Sequence, residues 1–236
     1  MPAQHTLADA DASDFLAGRC CIRLDPDRAG PGSARAAEDL LRRPDRDYGR
    51  PVTDGRSSWV RRLSFVETDC YAKVYDYPTW RDRLRGFGRN TALRPSRARR
   101  EADALGWLRA RGFAAPRAIA VAELRRGPLL RRALLVTEAW PGADLERLWP
   151  SLAAAERARV CSALARYVDA LHEAGFRDRN LDPRNLLVSR DADGGVTFAK
   201  IDSPRFRCRR PGAGDDRLRR QDLARLAAGL RRLESS

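Results

Sequence analysis

The side chains with the clearest potential for chemistry lie between positions 178 and 202. The segment DRNLDPRNLLV, residues 178–188, places Asn185 just before an apolar run, and Asp202 closes a second apolar run, FAKID. Two short strands hinged at the turn DADGG would bring Asn185 and Asp202 side by side. Amide and carboxylate oxygens of this kind bind Mg²⁺ that is shared with phosphate groups. Asn185 and Asp202 are therefore the predicted metal ligands and part of a predicted nucleotide site.

The same segment offers three candidates for the group that orients an attacking hydroxyl. In the pattern H-R-D-x-x-x-x-N of protein kinases, an aspartate stands five positions before the metal-binding asparagine. Asn180 occupies that position here, while Asp178 and Asp182 stand seven and three positions before Asn185. An amide takes up no proton but can orient a hydroxyl, and phosphoryl transfer depends mainly on positioning and charge stabilisation. The catalytic candidates are Asn180 and, through a shifted backbone, Asp178 and Asp182. Asp222, on the last predicted helix, is either a brace behind this loop or a surface residue.

Two further residues are predicted to complete the nucleotide site. Lys73 lies in the alternating segment YAKVY, which is typical of a half-buried strand from which a lysine reaches the phosphates of ATP. Glu101 lies in the apolar stripe of a helix that begins after Ser96 and ends at Gly112. A carboxylate in such a stripe is costly unless it is paired, so we expect an ion pair between Lys73 and Glu101. Only two of the 46 basic residues are lysines, Lys73 and Lys200, which indicates that lysine chemistry is required where it is retained.

The order of predicted elements divides the chain into three parts. Residues 1–57, rich in Asp, Arg, Pro and Gly, are predicted to form a loosely ordered N-terminal extension with one short helix. Strands and one helix occupy residues 58–138, and residues 139–236 contain a long helix capped by Ser151, two short strands and a final helix. The predicted fold class is therefore α+β, with a small β-rich N-lobe that carries one helix and a short helical C-lobe.

Composition limits the classes of partner. The net charge of +14 and the pI near 10.7 favour an anionic partner, such as a phosphorylated substrate, an anionic membrane surface or nucleic acid. The arginines are spread along the chain without an aromatic-interleaved basic motif, so no nucleic acid is expected. No apolar run approaches 18 residues and the N-terminus has no signal-peptide pattern, which predicts a cytoplasmic location. The five cysteines lack zinc-site spacing and are expected to be reduced thiols.

Several segments resemble one known family, the lipopolysaccharide core kinases of the Kdo/WaaP type. They span about residues 58–233 and are YAKVYDYPTWRDRLRG, SRARREADALGWLRARGFAAPRAIAVAE, LLVTEAWPGADL and RNLLV…AKID. The resemblance implies a two-lobed protein-kinase-like fold and the use of ATP and magnesium. It also implies phosphorylation of heptose or Kdo sugars of the lipid A–core at the inner face of the cytoplasmic membrane.

The resemblance assigns Lys73 to the ATP lysine, Glu101 to its partner, and Asn185 and Asp202 to metal binding. The chain departs from the family at three places. DRN stands where the family has H-R-D, DSP follows the metal-binding position, and no glycine-rich phosphate loop precedes Lys73.

The leading hypothesis is an ATP-dependent kinase that phosphorylates a sugar of an anionic envelope glycolipid, with peripheral contact to the membrane surface. The alternative is a pseudokinase that binds nucleotide or a partner without catalysis, because position 180 is asparagine. A protein kinase acting on Ser, Thr or Tyr fits less well. Only about a dozen residues separate Asp202 from the last predicted helix, which leaves little room for a peptide platform.

Overall fold

The computed structural model describes residues 19–43, 45–79, 81–82, 94–190, 195–212 and 216–235. The chain divides into two compact units. The first contains the chain up to Arg99 together with Ala118–Glu138, and the second contains Arg100–Arg117 together with the chain from Ala139 onward. The predicted turn at DADGG lies almost entirely outside the described residues.

The first unit is built on a six-stranded antiparallel sheet. The order across the sheet is β1-β5-β6-β4-β3-β2. In chain order, the elements of this unit are β1 (Arg19–Leu24), α1 (Ser33–Arg42), β2 (Arg50–Asp54), β3 (Ser58–Phe65), β4 (Thr68–Asp76), β5 (Ala118–Arg126) and β6 (Leu129–Glu138).

Strand β4 shows how the sequence divides the two faces of this sheet. Ala72 and Val74 are fully buried, and Lys73 between them is half-buried. Ala72 and Val74 belong to the same core cluster as Leu41 of α1. Because successive side chains of a strand point to opposite faces, Lys73 lies on the face of the sheet that α1 does not cover.

The N-terminal segment departs from the sequence-based expectation. Residues 19–54 were expected to be a loosely ordered extension, and this expectation is wrong. Strand β1 pairs with β5 over its whole length, from Arg19 opposite Arg125 to Leu24 opposite Ala120. β1 is an edge strand whose side chains alternate between exposed and half-buried. It therefore lacks the long apolar run that would have marked it in the sequence. Residues 1–18 lie outside the described residues.

The second unit combines helices with short strands. Its small sheets have the orders β10-β9-β7 and β11-β8. The elements, in chain order, are α2 (Arg97–Ala110), which starts in the first unit, β7 (Ala143–Asp144), α3 (Leu145–Leu148), a 3-10 turn (Trp149–Ser151), α4 (Ala154–Glu173), β8 (Phe176–Arg177), a second 3-10 turn (Pro183–Asn185), β9 (Leu186–Arg190), β10 (Val196–Lys200), β11 (Arg207–Cys208) and α5 (Arg217–Glu234). None of the described helices is long and apolar enough to cross a membrane.

The two helix starts inferred from serine had different outcomes. Ser96 caps α2, since its hydroxyl oxygen accepts the backbone N–H three residues further on at 3.1 Å. The prediction that Ser151 caps the long helix is wrong. Ser151 ends a 3-10 turn and donates its hydroxyl to the carbonyl of Leu148. At the start of α4, the carboxylate of Glu156 accepts the N–H of Ala153 at 2.9 Å and satisfies the helix end instead.

We predict that Arg132→Met lowers the free energy of unfolding by about 3 kcal/mol, because it leaves a largely buried carboxylate without its partner. The Arg132 guanidinium donates to the carbonyls of Leu41 and Arg43 at the end of α1 and to the carboxylate of Asp76 at 3.1 Å. Urea denaturation followed by tryptophan fluorescence measures the change. Arg126→Met, at an exposed position of the same hairpin, is the matched control. Equal losses in the two variants would show that Arg132 does not tie the N-terminal segment to the sheet.

Candidate active site

The backbone of residues 178–180 is fixed by one carboxylate of α5. Asp222 is 1% exposed and accepts the backbone N–H groups of Asp178, at 3.2 Å, and of Arg179. Arg179 has a φ of 62°, in the left-handed region. A non-glycine residue there costs about 1–2 kcal/mol, and the hydrogen bonds to Asp222 offset this cost. Asp222 is therefore the brace behind the loop, one of the two roles that the sequence left open for it.

Asn180 connects the loop to Asp202, which lies two residues beyond the end of β10. Its side-chain nitrogen, Nδ2, donates to the carbonyl of Asp202 at 2.7 Å and to the Asp202 carboxylate at 2.8 Å. The backbone carbonyl of Asn180 in turn accepts Nδ2 of Asn185 at 3.1 Å. The three residues thus form a continuous hydrogen-bonded chain, Asn185–Asn180–Asp202. Two of the three come from the loop, and Asp202 comes from the segment that follows β10.

The chain of hydrogen bonds sets the orientation of both predicted metal ligands. Because Nδ2 of Asn185 donates to Asn180, the oxygen of the same amide is turned away from that carbonyl. Asp202 has a φ of 54°, and aspartate is one of the few residue types that adopt this left-handed backbone with modest strain. Strained backbone of this kind occurs preferentially at functional sites. One amide oxygen and one carboxylate fit Mg²⁺, which takes few protein ligands when phosphates supply the others.

In the part of the chain that the structure describes, no cluster of three or more His, Cys, Asp or Glu side chains could hold a metal ion. The metal-binding roles of Asn185 and Asp202 stay predictions.

Asp178 is buried in an ion pair instead of facing Asp202. Its carboxylate oxygen Oδ2 lies 2.8 Å from Nζ of Lys200 and accepts the hydroxyl of Ser203 at 3.0 Å. The side chains of Asp178 and Lys200 are 1% and 0% exposed. Burial raises the pKa of Asp178, and this effect outweighs the opposite influence of Lys200 and Ser203. The Oδ2 atom of Asp178 is thus engaged by Lys200 and Ser203, and a catalytic role for Asp178 stays a prediction.

Asp182 is held by α5. Its buried carboxylate lies 3.3 Å from the guanidinium of Arg225 and 3.5 Å from that of Arg232. α5 approaches this part of the loop closely, because a Cβ added at Gly229 would lie 2.3 Å from the ring of Pro183. Asp182 therefore anchors the loop to the helix. Of the three catalytic candidates, Asn180 is the one whose side chain contacts Asp202.

Lys73 and Glu101 lie in different compact units. Lys73 stands opposite Val60 and Leu135 in the sheet, and its Nζ lies 5.3 Å from the centre of the Tyr75 ring. Glu101 is 5% exposed on α2. Their roles in nucleotide binding and their ion pair stay predictions.

The hairpin before Lys73 contains no phosphate loop. Strands β3 and β4 are joined by the two residues Val66 and Glu67, both with left-handed φ values of 47° and 65°. A two-residue turn of this type brings neither several glycines nor a row of free backbone N–H groups. The turn therefore agrees with the absence of a glycine-rich segment before Lys73 in the sequence.

Sequence reasoning missed the roles of Lys200 and Ser203. Both are fully buried and bond to Asp178. The rarity of lysine was a usable signal for Lys200, because the same argument that drew attention to Lys73 applies to it. Nothing in the sequence marks Ser203, since its importance depends on a partner 25 positions away.

The fold defines the chain as a protein-kinase-like protein. WaaP in complex with acyl carrier protein matches with a TM-score of 0.58 and 20% identity, over 88% of this chain and 80% of that chain. The Rio2 kinase of Chaetomium thermophilum, in a complex with ADP, Mg²⁺ and phosphoaspartate, matches with a TM-score of 0.59 and 17% identity, over 86% of this chain and 59% of the other. At these identities the likeness concerns the fold alone, and it confirms the predicted fold class.

Residues 56–235 match the sequence profile of the lipopolysaccharide kinase (Kdo/WaaP) family, and the chain belongs to this family. The aminoglycoside 3'-phosphotransferase of Streptomyces ribosidificus is 36% identical over 126 residues, which are 53% of this chain and 44% of the relative. The chain thus spans less than half the length of this curated relative. The resemblance seen in the sequence is confirmed at the level of the family.

We predict that Lys200→Met lowers the free energy of unfolding by about 3–5 kcal/mol at neutral pH, because it leaves the buried Asp178 carboxylate without its cation. Without the ammonium, the pKa of Asp178 lies further above its unfolded value, so the loss grows as the pH rises through the folded-state pKa. Urea titrations at pH 5 and pH 8 test both statements. The double variant Asp178→Asn/Lys200→Met is expected to recover most of the stability. If the double variant is no more stable than the single one, the pair does not act as a unit.

Proposed function

We propose that this chain is an ATP-dependent phosphotransferase that transfers a phosphoryl group to a sugar hydroxyl of a lipopolysaccharide core or a similar envelope glycolipid. The observation that carries the proposal is the hydrogen-bonded chain Asn185–Asn180–Asp202, in which Asp202 has a left-handed backbone. Family membership supports the same reaction class. The named activity of the Streptomyces relative, phosphorylation of an aminoglycoside, also concerns a saccharide hydroxyl.

The proposed cofactors are ATP and Mg²⁺. Asn185 and Asp202 would hold the metal, Lys73 would bind the α- and β-phosphates, and Glu101 would hold the lysine in place. When bound, Mg²⁺ would neutralise the negative charge of the phosphates. The amide oxygen of Asn185 and the carboxylate of Asp202 contribute oriented oxygens, because both groups are already fixed through Asn180.

Asn180 is the proposed positioning group for the acceptor hydroxyl. Its Nδ2 is bonded to Asp202, so its Oδ1 is the atom that is available to accept a hydrogen bond from the hydroxyl. Because an amide does not take up the proton of the hydroxyl, Asn180 would orient the nucleophile without acting as a base. Since the transition state of phosphoryl transfer is loose, orientation alone supports turnover at a reduced rate.

The second candidate function is that of a pseudokinase, which would bind nucleotide or a partner without catalysis. The observation that favours it is the engagement of both loop aspartates. Asp178 pairs with Lys200, and Asp182 lies beside Arg225 and Arg232. These contacts support the proposal that neither carboxylate replaces the missing catalytic aspartate.

The proposed location is the cytoplasm, with peripheral contact at the inner face of the cytoplasmic membrane. The net charge of +14 supports attraction to an anionic lipid surface. The acceptor proposed above is itself part of such a surface, so the same charge would help to bring enzyme and substrate together.

We predict that Asp202→Ala abolishes ATP-dependent phosphorylation of a lipid A–core acceptor, with a loss of about 10²-fold or more, because it removes a charged ligand of the metal. Transfer of radiolabelled phosphate to the acceptor measures the activity. The control is Asp169→Ala, at an exposed position of α4, which should leave turnover unchanged. If the wild type and Asp202→Ala both show only background turnover, the proposal that the chain is a phosphotransferase is rejected. Metal-dependent nucleotide binding without turnover would then support the pseudokinase.

We predict that Asn180→Asp increases phosphoryl transfer about tenfold or more in the presence of Mg²⁺, because it restores a carboxylate that accepts the proton of the hydroxyl. It also places two carboxylates in contact, since Nδ2 of Asn180 lies 2.8 Å from the Asp202 carboxylate. The variant should therefore be less stable than the wild type without metal and should gain more thermal stability from Mg²⁺. Asn180→Ala is the control and should lower turnover. A variant that gains neither activity nor Mg²⁺-dependent stability would show that position 180 does not face the metal.

A further inference from the structure

An ordered segment rich in arginine follows Asp202. We name residues 204–210 the arginine strap. Its strand β11 pairs with β8, with Arg207 opposite Arg177. The N–H of Arg209 donates to the carbonyl of Gly175 at 2.8 Å, and the N–H of Gly212, just past the strap, donates to Glu173 at 2.9 Å. The backbone of the strap is thus held along most of its length.

An aromatic side chain anchors the strap from within. Phe206 stacks on Phe176 with ring centres 4.8 Å apart and lies 5.4 Å from the ring of Trp107. Gly175 permits the close approach of the two strands, because a Cβ at that position would lie 2.2 Å from the carbonyl oxygen of Arg209. The arginines on either side of Phe206 are therefore presented from a rigid base.

Four arginines of the strap are exposed: Arg205, Arg207, Arg209 and Arg210. Within the described residues, none of the four has a carboxylate at ion-pair distance. Arg190 and Arg219 of the same unit, in contrast, are paired with Glu156 and Asp169. Four positive charges within six residues, with no carboxylate of the described residues beside them, repel one another, and an anionic ligand would relieve that repulsion.

The strap is close to the candidate active site along two backbone paths. Arg205 is three residues after Asp202, so their Cα atoms are at most about 11 Å apart. Arg207 stands opposite Arg177 in the β8–β11 ladder, and Arg177 is three residues before Asn180. An arginine side chain spans a large part of such a distance. A substrate bound with its hydroxyl near Asn180 therefore has the strap within reach.

We propose that the arginine strap binds the anionic groups, phosphate or carboxylate, of the saccharide acceptor. The planar guanidinium donates two parallel hydrogen bonds to such groups, which gives orientation as well as affinity. The strap consequently selects for an acidic saccharide and against a polycationic one such as an aminoglycoside. In this respect the chain would differ from the Streptomyces relative, which is named as an aminoglycoside phosphotransferase. This inference rests on the proposed function for the identity of the site that the strap adjoins.

The test measures binding by calorimetry with the full chain. The probes are a deacylated lipopolysaccharide core oligosaccharide that retains its phosphates and carboxylates, and a polycationic aminoglycoside. The strap variant is Arg207→Glu/Arg209→Glu. The matched control is Arg159→Glu/Arg166→Glu, two exposed positions of α4 with the same change in net charge. Circular dichroism checks that both variants are folded.

We expect the wild type to bind the oligosaccharide with an affinity that falls as salt is added, because charge contacts are screened. The strap variant should bind at least about tenfold more weakly, while the control should stay within about twofold. The aminoglycoside should not bind measurably. The inference is overturned if the wild type does not bind the oligosaccharide, if strap and control variants lose the same affinity, or if the aminoglycoside binds equally well.

Two further measurements distinguish binding to lipid from binding to the saccharide, and binding from phosphoryl transfer. Vesicles of phosphatidylglycerol without saccharide test the lipid surface, and binding to them that depends on the strap as strongly as oligosaccharide binding does would overturn the inference. Phosphate transfer to the oligosaccharide tests the proposed function. Strap-dependent binding without transfer would reject the proposed function and support the strap. Transfer with an unchanged acceptor KM in the strap variant would reject the strap and leave the proposed function intact.

Discussion

The carboxylate of Asp222 is the constraint on which the candidate site depends. It accepts two consecutive backbone N–H groups, those of Asp178 and Arg179, inside the second unit. This contact allows the left-handed backbone at Arg179, and the next residue, Asn180, is thereby placed against Asp202. A buried carboxylate is expensive unless several donors satisfy it. The position of Asn180 is therefore fixed by a helix that is more than 30 positions away in the sequence.

The two aspartates of the loop lie beside positively charged side chains, whereas the asparagine between them lies beside a carboxylate. Asp178 is bonded to Lys200 and Asp182 lies beside arginines of α5, whereas Asn180 donates to Asp202. An aspartate at position 180 would place two negative charges in contact, and a cation between them or protonation of one of them would relieve the repulsion. The neutral amide removes this requirement. The amide of Asn180 thus holds the Asp202 carboxylate, the proposed metal ligand, in place without a charged partner, and position 180 then offers no carboxylate that could act as a base.

The sequence predicted those features that depend on neighbouring residues. The cap at Ser96 and the β9–β10 hairpin follow from local spacing, and both are present. The features that depend on distant partners were missed. Strand β1 is recognisable only as the partner of β5, and Ser203 only as the partner of Asp178. The Ser151 cap failed because a glutamate one turn further on satisfies the same helix end. Interactions between residues close in sequence could be predicted, whereas the choice between competing partners could not.

The basic composition has to be interpreted position by position. Arg61, Arg132 and Arg177 are almost fully buried and donate to backbone carbonyls, so they are structural and contribute little to the outer surface. Lys200 is buried as well, and its compact ammonium pairs with the carboxylate of Asp178. Other arginines are neutralised by acidic neighbours. Each such pair cancels one positive and one negative charge, so the excess of +14 is carried by arginines outside these pairs, including exposed arginines that have no carboxylate at ion-pair distance among the described residues. The arginine strap contains four such exposed arginines and begins two residues after Asp202. Its position, and not the overall pI, is therefore the electrostatic feature that we propose discriminates between acceptors.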